Sequence, residues 1–120
     1  MCGIIGIQNN SEAATLAYMG LYAQQHRGQE GAGVVSSDGT VLHRHMGQGL
    51  VSDVFSDSTV FDSLIGDSAI GHVRYSTTGN SDPKNVGPLT FNMGDYSLSI
   101  AHNGNLVNLD EIRKELQENG

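Results

Sequence analysis

Three short stretches of this chain carry the residues best able to do chemistry. Cys2 is the only cysteine and stands directly behind Met1. Aminopeptidases remove an initiator Met when the next side chain is small, so the mature chain is expected to begin at Cys2, with a thiol and a free α-amine on one residue. Free α-amines titrate near ~7.7–8.0 and free thiols near ~8.5, so moving the proton from sulfur to nitrogen costs only about 1 kcal/mol. A nucleophilic thiolate is then reachable at neutral pH without a histidine. The two groups share one Cα, which strains direct transfer and favours a bridging water. Arg74 ends an alternating segment in Gly71-His72-Val73-Arg74-Tyr75-Ser76-Thr77-Thr78-Gly79. A guanidinium there can grip a carboxylate in bidentate fashion with a threonine as second donor. In Asn103-Gly104, a side-chain amide and the next backbone N–H could converge on a developing oxyanion.

Each has a plainer reading. A free cysteine is often a small buried hydrophobe. Arg74 could be a surface cation paired with one of many acids, and Asn-Gly is a common hairpin turn. His43 and His45 share a strand face, but two histidines without a third ligand are more often packing or solvent-facing residues. Tyr18, Tyr22, Met19 and Met46 read as core residues, and Asp53, Asp57, Asp62 and Asp67 as a solvated helical face.

Positioning these groups falls to elements that the periodicity marks out. Residues 3–8 are apolar at odd and even positions, the pattern of a strand covered on both faces. Ala14, Ala17, Tyr18 and Leu21 follow at helical spacing behind Ser11, a candidate N-cap, predicting a helix over 12–26. Val34 and Val35 begin a strand, Ser37-Asp38-Gly39-Thr40 is a turn signal, and residues 41–47 return. Two short helices are expected within 50–65 and a strand over 68–75, with Ile70, His72 and Arg74 on one face. Residues 76–87 form a long irregular loop, the kind that is disordered or part of a site. Two paired strands are expected around Gly94. Asn108 and Glu111 have capping-box spacing before a last helix with a Leu109, Ile112, Leu116 stripe.

Composition excludes more than it identifies. Six Lys and Arg against thirteen Asp and Glu give a net charge of −7 over 120 residues, too few cations to neutralise a phosphate backbone or an anionic membrane. No nucleic acid or membrane partner is expected. One cysteine forms no internal disulfide. The N-terminus lacks the cationic start and apolar run of a secretory signal, and no stretch approaches the ~20 apolar residues of a membrane span. A cytoplasmic location is expected, where a free thiol persists.

Met1-Cys2-Gly3-Ile4-Ile5-Gly6, His26-Arg27-Gly28-Gln29-Glu30-Gly31-Ala32-Gly33, the 71–79 motif and Ala101-His102-Asn103-Gly104-Asn105-Leu106 occur in an order that resembles the glutaminase domain of class II glutamine amidotransferases, which are N-terminal-nucleophile hydrolases. Within that class, His-Arg-Gly-Gln-Glu and Gly49-Leu50-Val51-Ser52-Asp53-Val54-Phe55 are most similar to members whose glutaminase domain precedes a phosphoribosyltransferase domain. Glucosamine-6-phosphate synthase or another class II member is the alternative, and a truncated, non-catalytic glutamine-binding fragment is a third reading.

The resemblance implies an α+β fold, the four-layer αββα sandwich, present here only in part, with 1–120 the N-terminal portion of the domain. It implies that Cys2 attacks the glutamine side-chain amide and that Asn103 and the Gly104 N–H hold the oxyanion. Arg74, Thr77 and the Gly104 carbonyl bind the substrate's α-carboxylate and α-amine, while Arg27, Gly28 and His102 shape the site. Ammonia would pass to phosphoribosyl pyrophosphate in the second domain, with Mg²⁺ bound there, giving phosphoribosylamine in the first committed step of purine synthesis. Full-length members would form homo-oligomers. No metal or cofactor is implied for this segment, and one cysteine cannot hold the iron–sulfur cluster of some members. The isolated 120-residue chain is expected to have weak glutaminase activity or none.

Overall fold

The computed structural model describes residues 1–76 and 82–120. Its centre is a four-stranded antiparallel sheet in the order β1-β4-β2-β3, built from β1 (Gly3–Ile7), β2 (Gly31–Ser37), β3 (Leu42–Gln48) and β4 (Ser68–Arg74). The register pairs Gly3 with Val73 and Gly31 with Arg74. The beginnings of β1 and β2 therefore meet at the end of β4, and this edge of the sheet carries the chemistry.

Helix α1 (Ala13–Ala23) lies against one face of the sheet. Its small residues Ala13, Ala14 and Ala17 let the helix approach closely, and Leu21 packs among Val34, Val51 and Val73, all fully buried. Two one-turn helices, α2 (Val51–Val54) and α3 (Val60–Ser63), continue this layer. Tyr18, Phe55 and Phe61 pack together there with ring centroids 5.4–5.7 Å apart, a spacing favourable for aromatic pairs. Tyr18 is half-buried, but Tyr22 and Met19 are exposed, which corrects their assignment to the core. The helical stripe is narrower than expected because alanines, not these larger residues, face the sheet.

The opposite face is covered less evenly. Val86, Gly87 and Pro88 are buried against it near Gly33 and His72. A two-stranded sheet, β5 (Leu89–Met93) and β6 (Tyr96–Ile100), turns at Gly94, whose φ of 69° suits glycine. Ile4 is 40% exposed and Gly6 is exposed, so the expectation that β1 is covered on both faces fails within this chain. The second face meets a short loop and a hairpin instead of a full layer. Helix α4 (Leu109–Asn119) follows with Ile112 half-buried and Leu109 and Leu116 exposed.

Element boundaries differ from expectation mainly at the caps. Helix α1 stops at Ala23 and gives way to a 3₁₀ turn over Gln25–Arg27. Its start is held by Asn10, whose Oδ1 accepts from the Glu12 N–H at 2.8 Å, rather than by Ser11. Asn108 makes no side-chain cap at α4.

Candidate active site

Antiparallel pairing of β1 with β4 places Cys2 beside the residues that follow Arg74. The Tyr75 N–H donates to Cys2 Sγ at 3.5 Å, and the thiol lies 3.7 Å from the Tyr75 carbonyl. Arg27 holds the other side: its Nε donates to the Cys2 carbonyl at 3.1 Å. Gly28 runs against β4 so closely that a Cβ would sit 2.6 Å from the Arg74 backbone. The chain can make this approach only with glycine there, which is the physical reason for Arg-Gly in the motif.

Asn103 reaches the same place from a distant part of the sequence. Its Oδ1 accepts from the Cys2 N–H at 3.2 Å across 101 residues. With the oxygen engaged, the amide Nδ2 carries the donors that remain for a third group. Gly104 follows with φ 156°, and a Cβ on it would lie 3.1 Å from the His102 ring.

Cys2, Arg74, His102, Asn103 and Gly104 line one cleft of about 410 Å³, within the usual range for small-molecule sites. A second cleft of about 440 Å³ lies at the other end of the sheet among Ile7, Val35, Leu42 and Ile70, and among the described residues no ionisable side chain lines it. The sequence-derived residues are thus brought together, with Arg27 and Gly28 immediately behind Cys2. Thr77, the expected second donor to a carboxylate, lies outside the described residues. His43 Nε2 meets Asp38 at 3.0 Å, whereas His45 Nε2 meets the Val54 carbonyl at 2.7 Å; the two histidines serve different local contacts.

Several polar groups of this region carry no role in the sequence reading. Arg74 Nη1 donates to the Asn85 carbonyl at 2.5 Å. Glu30 Oε1 accepts from Ser76 Oγ at 2.7 Å, while its Oε2 stands 3.8 Å from Arg74 Nε. The Ser76 hydroxyl holds the Glu30 carboxyl below the usual carboxylate range, with Arg74 adding a smaller effect. His72 is 5% exposed and lies close to the His102 backbone. Burial pushes its pKa below the ordinary 6.5, favouring the neutral imidazole. Glu30 and Ser76 sit inside motifs visible in the sequence, but only the strand register shows that they meet.

The Cys2 thiol, the Asn103 amide on its backbone nitrogen and the Arg74 guanidinium in the same cleft are the groups expected of the glutaminase site of a class II glutamine amidotransferase. Over its whole length the chain is homologous to one kind of enzyme in that class, the amidophosphoribosyltransferases. It is 55% identical over 120 residues to amidophosphoribosyltransferase 2, chloroplastic, of Arabidopsis thaliana. The enzymes of Staphylococcus aureus (strain MRSA252) and Lacticaseibacillus casei are 48% and 44% identical over 120 and 119 residues. Each match covers 99% of this chain but 21%, 24% and 61% of the respective relative, so the chain spans less than two thirds of the length of each. A solved structure described as the allosteric regulatory enzyme of purine biosynthesis superposes with a TM-score of 0.89 at 45% identity, over all of this chain and 26% of that one. Glutamine phosphoribosylpyrophosphate amidotransferase from B. subtilis, complexed with ADP and GMP, gives 0.85 at 44% identity, over 25% of that chain. No family model matches. The mixed α/β fold agrees with these enzymes, and only part of their glutaminase domain is present.

Proposed function

We propose that residues 1–120 are the N-terminal portion of a glutaminase domain that releases ammonia for transfer to phosphoribosyl pyrophosphate, the first step of purine biosynthesis. The observation that carries this reading is the 3.2 Å contact between the Cys2 nitrogen and Asn103 Oδ1 in a cleft shared with Arg74. The homology to amidophosphoribosyltransferases supports the choice of acceptor.

The geometry supports the following chemistry. While Met1 is attached, the Cys2 nitrogen is a peptide N–H and has no basicity. Met1 is exposed, so it is accessible to removal, which converts that nitrogen into an α-amine. The amine takes the thiol proton through a water, and the sulfur attacks the side-chain carbonyl carbon of glutamine. Asn103 Nδ2 and the Gly104 N–H receive the oxyanion, a contribution typically worth about 10²–10³ in rate per donor. The protonated amine gives its proton to the departing nitrogen and ammonia leaves. Water, deprotonated by the same amine, then splits the thioester and glutamate departs. Arg74 binds the α-carboxylate with Thr77, the Gly104 carbonyl accepts from the α-amine, and Arg27, Gly28 and His102 hold the walls.

On this reading no metal or cofactor is held by residues 1–120, and Mg²⁺ accompanies phosphoribosyl pyrophosphate in another part of the protein, which assembles as a homo-oligomer. The cytoplasm is the compartment that keeps Cys2 reduced; among the described residues no helix is long and apolar enough to cross a membrane.

Treating the natural full-length protein with the glutamine analogue diazo-oxo-norleucine and mapping the label tests the reading. Label on Cys2, loss of glutamine hydrolysis and an inert Cys2→Ala variant are expected. Label elsewhere would refute it.

A further inference from the structure

Glu30 is fixed before its side chain does anything. It sits between Gly28 and the start of β2. Its N–H donates to the Arg74 carbonyl at 3.2 Å, and its carbonyl accepts from the Gly49 N–H at 3.0 Å. The carboxylate is therefore delivered to one place. There Oε1 receives the Ser76 hydroxyl at 2.7 Å, and Oε2 is buried 3.8 Å from Arg74 Nε. Arg74 is also held through Nη1 by the Asn85 carbonyl.

We propose that Glu30, itself held by Ser76, is a positioning residue that sets the plane of the Arg74 guanidinium, so that its fork is aligned for the substrate's α-carboxylate. This rests on the glutaminase reading above, in which Arg74 binds that carboxylate. An arginine side chain has several rotatable bonds, and bidentate recognition works only when the fork lies in the plane of its partner. One edge of the fork faces Glu30 and one terminal nitrogen faces Asn85, which together remove that freedom before substrate arrives. The serine bond lowers the carboxyl's pKa further below neutrality, and the carboxylate faces Arg74 as an anion. Glu30 touches neither the sulfur nor the amide of Asn103, and it acts through Arg74.

Two reagents for the same thiol separate this role from general damage. Diazo-oxo-norleucine carries the α-carboxylate of glutamine; iodoacetamide carries none. In the full-length protein, Glu30→Gln is expected to slow inactivation by the first about tenfold while changing alkylation of Cys2 by the second less than about twofold. It should raise the KM for glutamine and leave kcat of hydrolysis within about threefold. In an Arg74→Ala background, adding Glu30→Gln should change neither rate further. Should Glu30→Gln fail to fold, Ser76→Ala gives the same selective loss, smaller in size. Equal loss with both reagents, loss with neither, or a full additional loss in the Arg74→Ala background overturns the proposal while leaving Cys2 as nucleophile. If the unaltered protein takes no diazo-oxo-norleucine on Cys2, the glutaminase reading falls and this inference with it.

Discussion

The two faces of the four-stranded sheet are built differently. Against α1, Ala17, Leu21, Ala32, Val34, Val51 and Val73 are fully buried. Across the sheet, Ile4 is open and the β5–β6 hairpin exposes Phe91, Leu98 and Ile100 to 42–47%. One side is a finished core; the other is apolar surface without a finished partner layer. The site lies on the seam. Cys2, Arg27 and Arg74 hang from strand and turn backbone tied to the finished side, whereas Asn103 and Gly104 follow directly from the exposed hairpin. Cys2 and Arg74 are thus held by packing, and Asn103 and Gly104 chiefly by what the hairpin itself rests on.

That contrast can be broken by substitution. Leu21→Ala should cost about 3 kcal/mol, because a filled site between helix and sheet loses its largest side chain; denaturant unfolding reads it. Gly28→Ala should cost about 2 kcal/mol, since the Arg74 backbone lies where the methyl must go, and cysteine alkylation should report a disturbed Cys2. A pH effect comes next. His72 has a folded pKa below its ordinary 6.5, so the unfolded chain binds the proton more readily. The stability tied to its neutral form is complete above 6.5 and declines as pH falls below that value. Melting temperature should therefore drop between about pH 7.5 and about pH 5.5, and less steeply in His72→Phe. The smallest effect is expected for Leu98→Ala, within about 0.5 kcal/mol. A cost equal to that of Leu21→Ala would show that the hairpin face is packed after all.

How far the sequence could be read follows the same division. Elements whose side chains alternate or repeat against the finished core were legible: α1, the β2–β3 hairpin, both one-turn helices and β4 lie where periodicity puts them, with Ile70, His72 and Arg74 sharing a face. Cap residues were not, because Asn10 and Ser11 can equally satisfy an opening N–H and only the backbone decides. Nor was the state of the second face, since Ile4 reads as apolar whether or not a layer covers it. Cys2, Arg74, Asn103 and Gly104 stood out by residue type and motif. Glu30 did not, because its partner Ser76 is 46 residues away and their meeting depends on β2 lying beside β4.

The central claim is that the Cys2 nitrogen, freed by loss of Met1 and held by Asn103, activates the thiol on its own residue. Intact-mass analysis of a preparation containing both processed and Met1-bearing protein, after brief exposure to diazo-oxo-norleucine, tests it most directly. Label confined to the species that begins at Cys2 is the predicted result; equal labelling of the species that retains Met1 would contradict it.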